Sequence, residues 1–362
     1  MTPRIIAFYL PQFHTIPEND EWWGKGFTDW VNVRKARPIF KGHQQPKAPL
    51  DNNYYDLSNP ANIRWQAEIA KKYHVYGFCF YHYWFNGKLL LEKPAELLLN
   101  HKDIDMPFCF SWANEPWART WDGKSHHILI NQEYGGRQEW EQHFNYLLPF
   151  FQDNRYIKVD GCPMLLIYKS QSIPCAQQMM GCWEEMAINA GFNGLHFVET
   201  IRSNNMEPRE LPFRARVEFE PARAQYLQSA LKLNYDRMRR RVIKSINTLF
   251  HTAIPHNVPD TFSRIAAISL NKLSPQGTYG GVFMGWDNTP RKGLAGNVIL
   301  PPTKQEFKDY LSAKWRITHE LYKTDYIFVN AWNEWAEGTV LEPEATLKYQ
   351  YLEAIKEVTT LL

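Results

Sequence analysis

The sequence predicts an α/β protein in which 362 residues form a single (β/α)8 barrel, and three observations lead to that fold class. Short apolar segments alternate with segments of helical periodicity, which is typical of parallel α/β architecture. Eight such segments can be identified, and eight is the number of strands in the closed barrel. The length leaves about 45 residues for each βα unit, with no internal repeat, low-complexity tract or linker, so one domain over residues 1–362 is expected.

The predicted strands are short, apolar and rich in aromatic or branched side chains. In chain order they are Ile5–Tyr9, Val75–Tyr83, Pro107–Trp112, Met164–Tyr168, His196–Thr200, Ala215–Phe219, Gly281–Trp286 and Tyr326–Trp332. Helices are predicted between most of them. One begins after Asn59 with Pro60 at its first position, and another begins with the capping box formed by Thr303 and Glu306. Further helices are predicted over Glu92–Asn100, around residues 140–151 and over Cys175–Ala190.

The segment between predicted strands six and seven is enlarged to roughly 60 residues. It contains a basic run over 237–244 beside apolar Val242, Ile246 and Leu249. A basic amphipathic helix of this kind can touch membrane lipid or a phosphate-bearing ligand, such as a lipid-linked glycan. It is also consistent with an ordinary solvated helix face.

Composition excludes several classes of protein. Hydrophobic residues make up 44% and charged residues 22%, as in soluble globular proteins, and the net charge of +3 gives no reason to expect a nucleic-acid partner. The apolar run 5–10 is too short for a signal peptide, and the five cysteines form no C-x-x-C pair. We therefore expect a reduced, cytoplasmic chain without a metal or a cofactor, and no glycine-rich phosphate loop follows a strand.

Aromatic residues form 15% of the chain, and many of them follow the predicted strand ends together with acids and amides. Stacking rings beside hydroxyl-binding side chains are what a sugar site requires, and a nucleic-acid site would need a basic groove instead. We therefore expect an oligosaccharide or polysaccharide substrate. The candidate binding residues are Tyr9, His14, His82, Tyr83, Trp84, Trp112, Asn114, Glu115, Trp117, Trp286, Asp287, Asn333 and Trp335. Trp121 and Asp122 also follow strand three.

Two carboxyl groups usually make or break a glycosidic bond, one protonated and one ionised. Glu334 and Glu337 lie three residues apart after strand eight, where they can face the same cavity. Glu115 follows strand three and competes for a place in the pair, opposite Glu334. Asp287 and Glu342 are weaker candidates, and His14 and His82 lack the spacing of metal ligands.

Five segments together resemble one protein family over about residues 4–352, with the weakest likeness over 202–278. They are AFYLPQFHTIPENDEWWGKGFTDW, YGFCFYHYWFNGK, FSWANEPWARTWDG, WDNTPR and NAWNEWAEGTVLEP. The sequence is similar to the WbsX-like family, which is related to the endo-α-mannosidases and mannanases of glycoside hydrolase family 99. The WbsX-like proteins accompany surface-polysaccharide biosynthesis and are often labelled glycosyltransferases, whereas the hydrolases are (β/α)8 barrels.

The resemblance implies roles for the acid pair. Glu334 matches the residue that deprotonates the sugar 2-OH, whose oxygen then attacks the anomeric carbon to give a 1,2-anhydro sugar. Glu337 matches the acid for the leaving group, which then acts as the base for the acceptor. This route requires the manno or rhamno configuration and leaves Glu115 a supporting role. Ala336 stands where the hydrolases have His, so the donor subsite is expected to differ.

Three functions remain open at this level. The first is a retaining enzyme that cleaves α-linked glycans of bacterial surface polysaccharide, and the second is a glycosyltransferase that builds an O-antigen or capsule. The third is a barrel that binds glycans without catalysis. The sequence sets neither the linkage nor the oligomeric state.

Overall fold

The barrel is closed by eight parallel strands. The computed structural model describes residues 2–118, 128–203 and 211–361. The first strand, Arg4–Tyr9, pairs with both the second, Val75–Phe85, and the last, Tyr326–Asn330. The sheet therefore has no free edge, and the predicted fold class is confirmed. The strands are β1 (Arg4–Tyr9), β2 (Val75–Phe85), β3 (Phe108–Trp112), β4 (Cys162–Ile167), β5 (His196–Ile201), β6 (Ala215–Glu218), β7 (Thr278–Phe283) and β8 (Tyr326–Asn330).

Helices surround this barrel and fill the loops between its strands. They are α1 (Pro17–Trp23), α2 (Asp29–Lys35), α3 (Pro60–Lys72), α4 (Lys93–Asn100), α5 (Arg137–Gln152), α6 (Ala176–Asn189), α7 (Ala222–Tyr226), α8 (Ala230–Phe250), α9 (Phe262–Asn271), α10 (Thr289–Lys292), α11 (Lys304–Arg316) and α12 (Gln350–Leu361). The capping box predicted at Thr303 is present at the start of α11. Asn59 caps α3 by accepting the backbone N–H of Ala61, as its sequence predicts.

Short antiparallel hairpins extend the strand ends. Lys88–Leu90 pairs with the end of β2, and Lys158–Val159 pairs with the start of β4. Three further hairpins are separate from the barrel sheet: Trp117–Ala118 with Ile128–Ile130, Trp286–Asp287 with Val298–Ile299, and Asn333–Glu334 with Thr339–Val340. These hairpins follow β3, β7 and β8, so they lie at the carboxyl end of the barrel.

Strand seven lies earlier in the chain than the sequence predicts. β7 covers Thr278–Phe283, whereas the apolar run predicts Gly281–Trp286. Gly285 adopts a φ of +104° and turns the chain away from the barrel, so Trp286 begins a separate hairpin. β8 likewise ends at Asn330, before the predicted end at Trp332. In both cases the apolar sequence pattern continues past the end of the strand into a buried loop. The pattern therefore predicted strand ends that lie too far along the chain.

Much of the aromatic content packs inside the barrel itself. Phe8 contacts the rings of Tyr81, Phe219 and Phe328 at centroid separations of 5.7, 5.2 and 5.5 Å. All residues of β3, β4, β5, β7 and β8 are buried, which explains their nearly continuous apolar sequences. The aromatic excess therefore serves the core as well as the strand ends.

The enlarged segment after β6 contains α7 and α8 before the chain returns to the barrel wall with α9. Helix α8 runs for 21 residues and carries no buried residue. Across residues 2–118, 128–203 and 211–361, the structure has no helix with the length and apolar character needed to cross a membrane.

Candidate active site

A cleft opens at the carboxyl end of the barrel, where the loops after several strands meet. Its cavity of about 390 Å³ lies between aromatic side chains on one side and charged groups on the other. The main lining residues are Gln12, Trp23, Tyr83, Glu115, Trp117, Lys169, Arg291 and Glu334. A cavity with a few polar groups and stacking rings is suited to a small organic ligand.

The two predicted catalytic glutamates lie in one tight turn after β8. Glu334 ends the first arm of a hairpin, and the 3-10 turn Trp335–Glu337 follows it directly. Side chains three residues apart eclipse each other in such a turn, so both carboxylates face the same way. Gly338 ends the turn at a φ of +65°, and a Cβ there would lie 3.0 Å from the backbone nitrogen of Asp287. Only glycine fits this position without strain.

A single arginine joins the two carboxylates to a third. Arg291 donates from Nη1 to Oε1 of Glu337 at 2.6 Å and from Nη2 to Oδ2 of Asp29 at 2.9 Å. The same Nη2 lies 3.4 Å from Oε2 of Glu334. Burial lowers the pKa of this guanidinium, but the three carboxylates raise it further, so Arg291 stays charged. One positive charge therefore serves three acidic groups.

Both glutamates hold their protons more strongly than an exposed carboxyl group does. Burial and the charge of Glu337 raise the pKa of Glu334 well above its usual range, although Arg291 lowers it. Burial also raises the pKa of Glu337, against the lowering influence of Arg291. Because the two groups are close, they titrate as a pair, and the pKa of each lies above the usual range of a carboxyl group. An acid and a base are thus available in one turn.

Aromatic residues form the opposite wall of the cleft. Trp117 meets the rings of Tyr83 and Trp22 edge to face, at centroid distances of 5.1 and 5.8 Å. Its position follows from the hairpin after β3, and Tyr83 points into the barrel from β2. Of the predicted binding residues, the structure places Tyr83, Glu115 and Trp117 around the same cavity as Glu334.

The carboxylate of Glu115 contacts two cations and is separate from the carboxylates that share Arg291. Nζ of Lys169 lies 3.1 Å from Oε1 of Glu115, and Nη1 of Arg202 lies 3.3 Å from the same oxygen. A second cavity of about 310 Å³ adjoins this group and is lined also by Tyr168 and Tyr226. The cleft therefore continues from the acid pair into a cationic region.

Two predicted residues tie the loops of the site together. Asn333 accepts the backbone N–H of Leu10 at 2.7 Å and donates to the carbonyl of Leu10 at 2.9 Å. Asn114 similarly accepts the backbone N–H of Lys169 at 2.8 Å and donates to its carbonyl at 2.9 Å. Each amide therefore links the loop after one strand to the loop after its neighbour.

Asp287 lies behind the acid pair rather than in the cleft. Its carboxylate accepts hydrogen bonds from His43 at 2.7 Å, from Gln45 at 2.6 Å and from the backbone and hydroxyl of Thr289 at 3.0 and 2.6 Å. Burial raises the pKa of Asp287, but these hydrogen bonds lower it further, so the group stays ionised. Trp286 precedes it in the same hairpin.

Several predicted residues lie away from the cleft, on the outer side of a barrel strand or, for His14, in the loop after β1. Tyr9 donates to Gln66 at 2.6 Å, and Nδ1 of His14 lies 2.9 Å from the carbonyl of Pro11. Neighbouring residues of a strand point to opposite faces, and the aromatic pattern does not show which face is the inner one. A buried cluster around His143 of α5 contains three more of the predicted residues: His82, Trp84 and Trp112.

Sequence reasoning missed two charged residues of the site, Asp29 and Arg291. Asp29 is fully buried at the start of α2, and Arg291 lies in α10 after β7. Both residues lie inside segments quoted above, Asp29 in GFTDW and Arg291 in WDNTPR. Two neighbouring acids need a cation close by, and that need could have pointed to Arg291. Trp121 and Asp122 lie outside the described residues. Among the residues that the structure describes, no group of three His, Cys, Asp or Glu side chains is arranged so that it could hold a metal ion.

Glu342 supports the turn from behind. Its carboxyl group accepts hydrogen bonds from Tyr55 at 2.7 Å, Gln66 at 2.6 Å and the indole of Trp335 at 2.7 Å. Burial raises the pKa of Glu342 to about 7, despite the lowering influence of these donors. Trp335 lies between Glu334 and Glu337 in the chain, and its indole is bound by Glu342. Glu342 therefore helps to fix the position of the turn.

We expect Glu342→Gln to change the pH dependence of stability. A carboxyl group whose pKa rises from 4.5 to about 7 on folding binds its proton more tightly in the folded state. Its contribution to stability is therefore lost as the pH rises through that window, by about 3 kcal/mol in total. Urea unfolding between about pH 4 and about pH 8 should show the native protein losing stability relative to the variant. Parallel curves would contradict the assignment.

The chain matches known proteins over almost its whole length. The family model described as "Glycosyltransferase WbsX" matches residues 5–355. Two relatives from strains of Xanthomonas campestris pv. campestris, both described as "Uncharacterized protein WxcX", are 36% identical over 358 residues. The match covers 98% of this chain and 49% of each relative, so the chain spans about half their length.

Solved structures share the barrel at low sequence identity. The GH99 endo-alpha-mannosidase from Bacteroides thetaiotaomicron is 16% identical, with a TM-score of 0.57 and coverage of 99% of this chain and 97% of that one. A protein described as "Glycoside hydrolase-like protein" is 13% identical, with a TM-score of 0.61 and coverage of 99% and 94%. At such identities the likeness concerns the fold.

Proposed function

The chain belongs to the family described as glycosyltransferase WbsX, and from this premise we propose that it is a retaining enzyme acting on α-linked glycans of bacterial surface polysaccharide. The family match agrees with the resemblance inferred from the five segments. The single observation that carries the proposal is the pair Glu334 and Glu337 on one arginine, with Glu334 lining a cleft that has an aromatic wall.

The proposed reaction has two steps, each of which inverts the anomeric carbon. Glu334 removes the proton of the sugar 2-OH, and that oxygen attacks the anomeric carbon while the glycosidic C–O bond breaks. Glu337 gives its proton to the leaving oxygen. In the second step Glu337 takes a proton from the acceptor, whose oxygen opens the 1,2-anhydro ring, and O2 recovers its proton from Glu334. Two inversions give net retention.

The proposed roles place a requirement on the proton that the pair shares. Arg291 is 2.6 Å from Glu337 and 3.4 Å from Glu334, which favours an ionised Glu337. The reaction needs the opposite arrangement, with the proton on Glu337. We therefore propose that substrate binding moves the proton from Glu334 to Glu337.

The configuration of the sugar follows from the same route. Attack by O2 from behind the leaving group requires the two oxygens to be trans, as in α-mannosides and α-rhamnosides. Trp117 and Tyr83 would stack against the C–H face of the sugar, and Glu115 and Lys169 would bind hydroxyl groups further along the cleft. Cytoplasmic placement and an oligosaccharide or polysaccharide substrate are parts of this proposal.

A glycosyltransferase is the second candidate function, and one observation favours it. Lys169 and Arg202 line the cavity beside Glu115, where they could bind the phosphates of an activated sugar donor. The name of the family also states this activity. A cytoplasmic enzyme would have nucleotide sugars at hand. The chemistry at the anomeric carbon would then be the same, with a sugar hydroxyl as the acceptor.

Product analysis separates the two candidates. One reaction contains an α-linked polysaccharide alone, and the other contains a nucleotide sugar with an acceptor glycan. Hydrolysis predicts shortened chains with retained anomeric configuration in the first reaction only, whereas transfer predicts elongation in the second only. Glu337→Gln is the matched control in both. Saturable glycan binding without a product in either reaction would identify a non-catalytic barrel and overturn the proposal.

A further inference from the structure

Helix α8 presents an exposed apolar stripe to solvent. Leu231 is 84% exposed, Met238 61% and Leu249 74%, and the remaining members of the stripe, Tyr235 and Val242, are also exposed. The five residues are spaced by 4, 3, 4 and 7 positions, so they lie along one side of the helix. Five large apolar side chains in a row are more than scattered surface exposure explains.

Basic side chains surround this stripe. The helix carries one acidic residue, Asp236, whose carboxylate is bound by Lys232 at 2.6 Å. Successive residues of a helix are rotated by about 100°, and this rotation puts three basic residues on the side of the stripe that faces away from the barrel. They are Arg237, Arg241 and Lys244, and all three are exposed. The six basic residues of the helix are Lys232, Arg237, Arg239, Arg240, Arg241 and Lys244.

The helix is attached to the rest of the protein by polar contacts on its other side. Arg239 donates to the carbonyls of Pro255 and His256, and Asn247 donates to the carbonyl of Ile254 at 2.8 Å. None of these contacts covers the apolar stripe. The stripe is therefore available to a partner without any rearrangement of the helix.

The helix stands at the same end of the barrel as the acid pair, because it follows the carboxyl end of β6. Tyr226, at the end of the preceding α7, lines the cationic cavity beside Glu115. A surface bound by α8 would therefore lie close to the entrance of the cleft.

We propose that α8 binds an anionic membrane surface, with its apolar stripe in the boundary between head groups and acyl chains. A helix with an apolar face and flanking arginines binds the interface in this way, and anionic lipids complement its charge. A second copy of the chain is a poorer occupant, since two helices with five net positive charges each would repel one another. The proposal is independent of the reaction and places the entrance of the cleft near the membrane surface.

Vesicle sedimentation of the full chain tests this inference without any glycan. The probes are phosphatidylcholine vesicles and vesicles containing about one third phosphatidylglycerol. We expect binding to the anionic vesicles only, weakened by salt. Met238→Ser/Val242→Ser and Arg237→Gln/Arg241→Gln should each weaken it by about tenfold or more. Because none of these side chains is buried, thermal unfolding should be unchanged.

Matched controls replace exposed residues elsewhere. Ile188→Ser/Leu273→Ser removes two exposed apolar side chains, and Lys35→Gln/Lys41→Gln removes two exposed charges. Both should bind the vesicles as the native protein does. Absence of binding at low salt, or binding that the α8 variants leave intact, would overturn the proposal. Self-association abolished by Met238→Ser/Val242→Ser would assign the stripe to a second copy, and capture of an acidic protein without lipid binding would assign it to that partner.

Discussion

Glu334→Gln and Glu337→Gln are each expected to lower turnover by about a thousandfold or more. An amide keeps the size of the side chain and its hydrogen bonds but neither releases nor accepts the required proton. The two carboxyl groups share Arg291 in one turn, so each substitution leaves the other acid without its partner. Initial rates on an α-linked glycan, or on a donor and acceptor pair, measure the effect.

The leaving group distinguishes the roles of the two acids. An aryl glycoside with an acidic phenol needs little help from a general acid, so Glu337→Gln should recover much of its first-step rate on that substrate. Glu334→Gln should remain slow on both substrates, because the attacking oxygen still has to lose its proton. Glu185→Gln, on the exposed face of α6, is the control and should react normally. Near-normal turnover of both active-site variants would show that the assignment is wrong.

Arg291→Met should reduce both stability and activity. It leaves the buried Asp29 and Glu334 and the partly buried Glu337 without their common cation, which costs about 3–5 kcal/mol of unfolding free energy near neutral pH. Because Arg291 lowers the pKa of both glutamates, these groups hold protons more tightly in the variant. The loss of stability should therefore be small in acid, where the carboxyl groups are protonated, and should grow as the pH rises.

Chemical unfolding over a range of pH checks this expectation. Arg291→Lys is the matched control, because it restores the charge without the two-pronged geometry and should regain part of the stability but little of the activity. Equal stability of Arg291→Met and the native protein at every pH would contradict the central place given to Arg291. A loss of unfolding free energy in Arg291→Met that is the same at every pH would show a packing effect instead of an electrostatic one.

The fold could be predicted from sequence because its signals are local. Each strand is a short apolar run between helical segments, and the barrel follows from counting them. The ends of β7 and β8 were less predictable, since the apolar pattern continues past Phe283 and Asn330 into buried loops. In those loops burial persists after the strand pairing has ended.

In the site, too, contacts between residues close in sequence could be predicted, whereas contacts between residues far apart in sequence could not. The nearness of Glu334 and Glu337 could be predicted because one turn brings them together. Arg291 and Asp29 lie 43 and 305 positions before Glu334, and only the closed barrel brings them to it. The face of a strand is also a tertiary property, so Tyr83 could not be separated from its outward neighbours His82 and Trp84 by composition.

A crystal structure of Glu337→Gln with a bound α-linked oligosaccharide tests the central claim most directly. The slow variant should hold the glycan intact in the cleft. We predict that a sugar ring stacks on Trp117, that its 2-OH lies within hydrogen-bonding distance of Glu334, and that its glycosidic oxygen faces position 337. A sugar whose 2-OH points away from Glu334, with its anomeric carbon beside Glu115 instead, would contradict the account.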